Sequence, residues 1–240
     1  MNKTVLAYVI AVIIPLGFFF FFDSQEMPAK KRLKRFVPLS ADTQQPNKVL
    51  VNDTMWHTIP DFSFTTQTGD TFTSKDIEDK VLIVGFFAGH DAARLAAMNE
   101  YYKMLQEEFQ EDKEVLLLAH TAIPSIDTLR RLQQLVQQYK IDDERWFLLG
   151  GKQESVNRQI KEAYHLSLPT LPDSSNIETL TYPSKYVVVS RKGIIRGYYD
   201  LESLQDVKFL MSDIRWLQLE YPTKQKREIE WKLKDKESGD

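Results

Sequence analysis

The chain has 240 residues, 42% hydrophobic and 27% charged, a balance that fits a folded domain of common size and excludes a fibrous or wholly disordered protein. A formal net charge of −3 supplies no basic field to gather phosphates, which excludes nucleic acid as a partner on electrostatic grounds. There is no cysteine, so disulfides, thiolate metal sites, cysteine nucleophiles, peroxidatic thiols and thiol oxidoreductase chemistry are excluded together.

Residues 5–22 read VLAYVIAVIIPLGFFFFF, an uncharged stretch close to the ~20 residues that cross a bilayer core. A cleaved signal peptide needs small residues before the cut, whereas here a run of phenylalanines leads straight to Asp23. Residues 1–22 are therefore expected to be an uncleaved transmembrane anchor. Lys30, Lys31, Arg32, Lys34 and Arg35 follow it, and counted by themselves they place the following domain on the cytoplasmic side. Residues 23–55 are polar, basic and dotted with proline, and are read as a linker.

After Pro60 the pattern becomes regular. Residues 62–65 and 71–73 alternate in the strand period around a turn at Gly69 and Asp70, which predicts a hairpin. Residues 81–87 (VLIVGFF) form an unbroken apolar run, as in a central strand covered on both faces. A helix is expected over residues 92–109, with Leu95, Met98, Tyr102, Leu105 and Phe109 at helical spacing. Residues 114–119 predict a second buried strand, and residues 125–139 a helix presenting Leu129, Leu132, Val136 and Tyr139. Residues 145–149 fit a short strand and 154–164 a helix; 185–190 and 194–199 form a second hairpin about Arg191, Lys192 and Gly193. The last helix spans about 201–219, with Leu204, Val207, Leu210, Ile214 and Leu217 on one side, and residues 221–240 are a charged tail. Crossover units flanked by hairpins predict an α/β, thioredoxin-like domain over 56–220, a mixed sheet flanked by helices behind a transmembrane helix.

No nucleophile elbow, phosphate-binding glycine loop or HExxH zinc motif is present, so no catalytic residue is assigned and the protein is not expected to be an enzyme. Asp142, Asp143 and Glu144 read as loop residues, and Glu107, Glu108, Glu111 and Asp112 as a solvated helix end. His90, at a helix start with Arg94 at i+4, is the most suggestive side chain, since a neutral imidazole can hold a metal. His57, His120 and His165 share no metal-site spacing with it, and His120 is expected to be a hydrogen-bonded core histidine.

Several segments, in order over residues 57–215, resemble the Sco/SenC family of membrane-anchored, thioredoxin-like copper chaperones of cytochrome c oxidase assembly. They are Ile59-Pro60-Asp61-Phe62-Ser63 before the Gly69-Asp70 turn, the strand ending Phe86-Phe87, and Asp143-Glu144-Arg145-Trp146-Phe147-Leu148-Leu149-Gly150. Ser184-Lys185-Tyr186, Arg191-Lys192-Gly193 and Ile195-Arg196-Gly197-Tyr198-Tyr199 complete the set. In that family the two aromatics lead into Cys-x-x-x-Cys, and a histidine before the last hairpin completes a three-ligand copper site. The resemblance puts the two cysteine positions at His90 and Arg94 and the histidine position on or next to Tyr182. The loop Ile123-Pro124-Ser125-Ile126-Asp127-Thr128 keeps the family's proline and Asp-Thr but lacks its first aspartate. Arginine offers no lone pair, and a tyrosine must lose a proton of pKa near ~10 to ligate well.

The resemblance thus implies a divergent member: an assembly or scaffold factor near the membrane, with an oxidase subunit or another assembly factor as partner. It carries no thiol redox chemistry, no cofactor and no family copper site. The alternative is a copper-handling protein with a rewired site around His90, helped by Met98, His120 or Tyr182. The resemblance implies a domain outside the cytoplasm, in the bacterial periplasm first or else the mitochondrial intermembrane space, against which the basic run at residues 30–35 argues.

Overall fold

The computed structural model describes residues 38–39, 48–51, 54–110, 112–141, 144–169, 181–200 and 203–220. The expected anchor (1–22) and tail (221–240) lie outside the described residues, among which no helix is long and apolar enough to cross a membrane.

The apolar run Val81–Phe87 (β6) is the middle strand of a five-stranded sheet, and every residue in it is buried. Trp146–Leu149 (β8) and Val115–Thr121 (β7) lie parallel to it on one side, while Lys185–Val189 (β9) and Ile195–Asp200 (β10) close the other side in antiparallel fashion. The sheet order is therefore β10-β9-β6-β7-β8. Helices Ala92–Glu108 (α1), Leu129–Tyr139 (α2), Gln153–Arg158 (α3) and Leu204–Glu220 (α4) accompany it. A separate hairpin, Ser63–Thr65 (β4) with Thr71–Thr73 (β5), sits where the alternation predicts it. The mixed sheet with its helices is a thioredoxin-like α/β domain.

Because successive strand residues point to opposite faces, each strand feeds two cores. Leu82, Val84, Phe86, Leu116 and Leu118 pack with Phe62, Phe64 and Phe72 of the hairpin and with Val156, Ile160 and Tyr164. On the other face Tyr102 of α1 stacks on Tyr186 at 5.4 Å and meets Trp146 edge-on at 4.5 Å. Each of these large rings, once buried, contributes roughly 1.5–3 kcal/mol of hydrophobic stabilisation. Gly193, at φ +73, makes the tight turn of the second hairpin, where a side chain would be strained.

Three expectations need correction. The stretch read as linker contains strands Pro38–Leu39 (β1), Lys48–Val51 (β2) and Thr54–His57 (β3), paired as a small antiparallel sheet in the order β1-β3-β2. Such short strands leave no long apolar period to detect. Helix α2 starts at Leu129 and not at 125, because Asp127 turns inward and draws residues 123–128 into successive turns. Its buried side chains are Leu132 and Leu135, with Leu129 41% exposed; on α4, Leu204 is likewise exposed. Finally, α3 does not stay α-helical but passes into a π-helical turn, Gln159–Ala163, which brings Ile160, Ala163 and Tyr164 all inward.

His120 on β7 is a core histidine as expected, between Phe64 at 4.8 Å and Phe86 at 5.7 Å, with Nε2 3.4 Å from the Tyr164 hydroxyl. Complete burial lowers its pKa to about 3 from an ordinary 6.5. The folded protein thus holds it neutral while the unfolded chain takes up a proton near pH 6.5. Its contribution is fully present above that pH and is lost on acidification at about 1.4 kcal/mol per unit, down to the folded-state pKa. Stability is expected to fall by about 2.5 kcal/mol between pH 6.5 and 4.5 on this account, more if His57 and His165, which burial also pulls down, add their share. Urea unfolding across that range, with His120→Gln giving a flatter profile, checks it.

Candidate functional site

At the end of β6 the buried residues Phe87, Ala88 and Gly89 lead, through the exposed His90, into the start of α1. Asp91 caps that helix, accepting from the Arg94 backbone N–H at 3.0 Å, a role typical of aspartate at this position. The same carboxylate accepts a 2.9 Å hydrogen bond from the Tyr182 hydroxyl, delivered from the segment that precedes β9. Arg94 completes the triangle: its guanidinium carbon lies 4.3 Å from the centre of the Tyr182 ring, and its Nε is 4.0 Å from Asp91. Beneath them the tyrosine ring rests on Ala88, Ala122 and Ile123.

Two of the three positions marked by the family resemblance, Arg94 and Tyr182, are therefore in contact, and Asp91 bridges them. His90 stands beside them, exposed. The chemistry is that of a closed polar cluster. Burial, reinforced by Asp91 and opposed by Arg94, pushes the Tyr182 phenol well above its ordinary value, so it stays protonated and donates. This pair does not fit copper: the guanidinium offers no lone pair and repels a cation, and a phenol that keeps its proton is a poor ligand. Among the described residues, no three of His, Asp and Glu gather where they would hold a metal.

The rewired alternative meets a geometric obstacle. Met98 is buried, lining a small apolar cavity with Leu95, Leu135, Trp146 and Leu148. His120 points to the opposite face of the sheet, among Phe64, Phe86 and Tyr164, so neither side chain joins His90.

A second layer fixes the loop. Asp127, 3% exposed, receives the Gly89 N–H at 3.0 Å and the hydroxyl of Thr121, and Arg131 donates to the Gly89 carbonyl at 2.7 Å. Burial raises the Asp127 carboxyl, while Thr121, Gly89, His90 and Arg131 oppose that rise. The retained Asp-Thr of the sequence thus buckles the loop before α2 to the loop before α1.

Sequence reasoning passed over Asp91, whose signal was available: an aspartate immediately before Ala92 with Arg94 at the third helical position is an N-cap pattern. It had no means of finding another pair, His57 and His165, whose rings lie 4.5 Å apart. For the cluster itself, Tyr182→Phe removes only the hydroxyl and is expected to cost about 1 kcal/mol, the net worth of one hydrogen bond. Urea unfolding measures it, and no change would mean that the Asp91 contact does not persist in solution.

The sequence model of the SCO1/SenC family matches residues 52–218. Among solved structures the chain is similar to a SCO1/SenC family lipoprotein from Bacillus anthracis, at 23% identity and TM-score 0.58, covering 68% of this chain and 95% of that one. It is also similar to BsSco, a member of the Sco family of cytochrome c oxidase assembly proteins in which a disulfide switch has been identified, at 16% identity and TM-score 0.57, with 68% and 94% covered. A third likeness is to copper-bound ScoI of Bradyrhizobium japonicum, at 14% identity and TM-score 0.54, with 65% and 98% covered. No curated protein matches. These identities speak to the fold alone; the match over residues 52–218, more than half of the chain, goes further, and by it the protein belongs to the SCO1/SenC family.

Proposed function

We propose that this chain is a membrane-anchored assembly or scaffold protein serving a respiratory cytochrome oxidase, working without thiol redox chemistry and without the family's copper site. The observation that carries the reading is the Tyr182–Asp91–Arg94 cluster, which puts a hydrogen-bonded phenol and a fixed cation where the resemblance expects copper ligands. Membership of the family, and the description of BsSco as belonging to oxidase assembly proteins, supply the process. The scaffold is kept while the chemistry is not, so what remains to such a protein is binding: holding a client or another assembly factor near the membrane.

In this reading residues 1–22 anchor the chain by a single pass, and the domain lies on the periplasmic side of a bacterial inner membrane. The basic run at residues 30–35 opposes that orientation, and a reporter fused to the carboxy terminus decides it. The function is tested by purifying the tagged full-length protein from its native membrane in mild detergent. Recovery of an oxidase subunit or a known assembly factor at constant stoichiometry is expected. Recovery of neither, with the protein folded and membrane-bound, would overturn the proposal.

A further inference from the structure

Away from the Arg94–Tyr182 cluster, β3 ends at His57, and the π-helical turn after α3 is followed by His165. His57 is 5% exposed, and its Nε2 lies 3.3 Å from the carbonyl oxygen of Ala163. A carbonyl only accepts, so this contact places the proton on Nε2 and leaves the lone pair on Nδ1. That Nδ1 is buried and has no hydrogen-bond partner. His165 brings its own ring to 4.5 Å from that of His57, nearly perpendicular at 75°. Its backbone is held at φ 52, a left-handed conformation uncommon for a residue other than glycine, while its side chain remains exposed. A buried imidazole whose second nitrogen is fixed by a backbone carbonyl, with a neighbouring imidazole free to turn towards it, is the arrangement that metal-ligating histidines adopt.

We propose that His57 and His165 form a two-imidazole site for a borderline divalent cation, Cu2+ ahead of Zn2+, with solvent completing the coordination shell. Imidazole suits both ions, and affinity for nitrogen ligands rises towards Cu2+. Metal–nitrogen bonds of about 2.0–2.1 Å are short enough for two rings with centroids 4.5 Å apart to share one ion once the exposed His165 ring turns a nitrogen towards His57 Nδ1. Burial pulls both histidines below their ordinary pKa, so at neutral pH they offer lone pairs and not protons. None of His90, Arg94 and Tyr182 takes part, so the site is independent of the position where the family resemblance places copper. Bound metal would fasten β3, and with it the small amino-terminal sheet, to the end of α3.

The test is a titration of the full-length protein in detergent with Zn2+ and with Cu2+, followed by calorimetry and by the nitrogen hyperfine pattern of bound Cu2+. One equivalent per chain is expected, with two imidazole nitrogens in the Cu2+ spectrum. Binding should survive His90→Ala and weaken at least about tenfold in His165→Asn, whose asparagine tolerates the left-handed backbone. His57→Gln keeps an N–H for Ala163 and should weaken binding as much without unfolding the protein. Absence of binding, binding unaffected by His165→Asn, or binding that vanishes in His90→Ala would each overturn the site. The last result alone would also overturn the metal-free reading of the Arg94–Tyr182 position, which keeps the two claims distinguishable.

Discussion

The full-length protein carrying His90→Cys, Arg94→Cys and Tyr182→His together is expected to bind one Cu+ per chain, with an affinity on the order of a thousandfold or more above that of the parent. The magnitude follows from the arginine. Two unit charges about 4 Å apart repel by about 4 kcal/mol at the effective dielectric near a protein surface, which corresponds to roughly three decades in a dissociation constant. Removing Arg94 relieves that repulsion, and two thiolates with one imidazole then provide soft donors suited to Cu+. The side chains at two of the positions already meet, with the Arg94 guanidinium carbon 4.3 Å from the centre of the Tyr182 ring, and His90 directly precedes the cap of the same helix. Competition against a Cu+ chelator gives the affinity. Should the folded triple variant bind no better than the parent, these are not the family's ligand positions.

Gly89→Ala is expected to destabilise the domain by at least about 3 kcal/mol, the cost of breaking a buried charged network. A methyl group built at Gly89 would fall 2.1 Å from Asp127 Oδ1 and 3.4 Å from Arg131 Nε. Asp127 has nowhere to retreat, since it accepts from the Gly89 N–H and the Thr121 hydroxyl while nearly buried. Relief of the clash therefore forfeits those hydrogen bonds. Asp127→Ala leaves the Gly89 N–H and the Thr121 hydroxyl without their acceptor, and by itself is expected to cost about 3 kcal/mol. The two substitutions touch the same contact, so their costs should not add in the double variant, and urea unfolding of the three proteins measures the coupling.

The strands and helices that bury continuous apolar surface were legible from residue pattern: VLIVGFF as β6, the second hairpin about Gly193, and the stripe of α4 from Val207 to Leu217. Elements that depend on a single tertiary contact were not. Helix α2 begins four residues later than its periodicity suggests because Asp127 leaves the helix to hold Gly89, a partner 38 positions away. The small sheet of β1, β2 and β3 falls in the stretch read as linker, since strands of two to four residues leave no period to read. At the candidate site, the residue types at His90, Arg94 and Tyr182, the positions the resemblance marks, could be read directly from the sequence. What those residues do to one another could not: Tyr182 reaches Asp91 across 91 positions, and only the fold supplies that contact. The same holds for His57 and His165, which no motif spacing joins.

The central claim is that the position of the family's copper site has become a metal-free polar cluster. It is tested most directly by titrating the full-length protein with Cu+ under reducing conditions, beside its His90→Ala variant. The two curves are expected to superimpose, with no stoichiometric site that depends on His90. Tight one-to-one Cu+ binding in the parent, abolished by His90→Ala, would contradict the account.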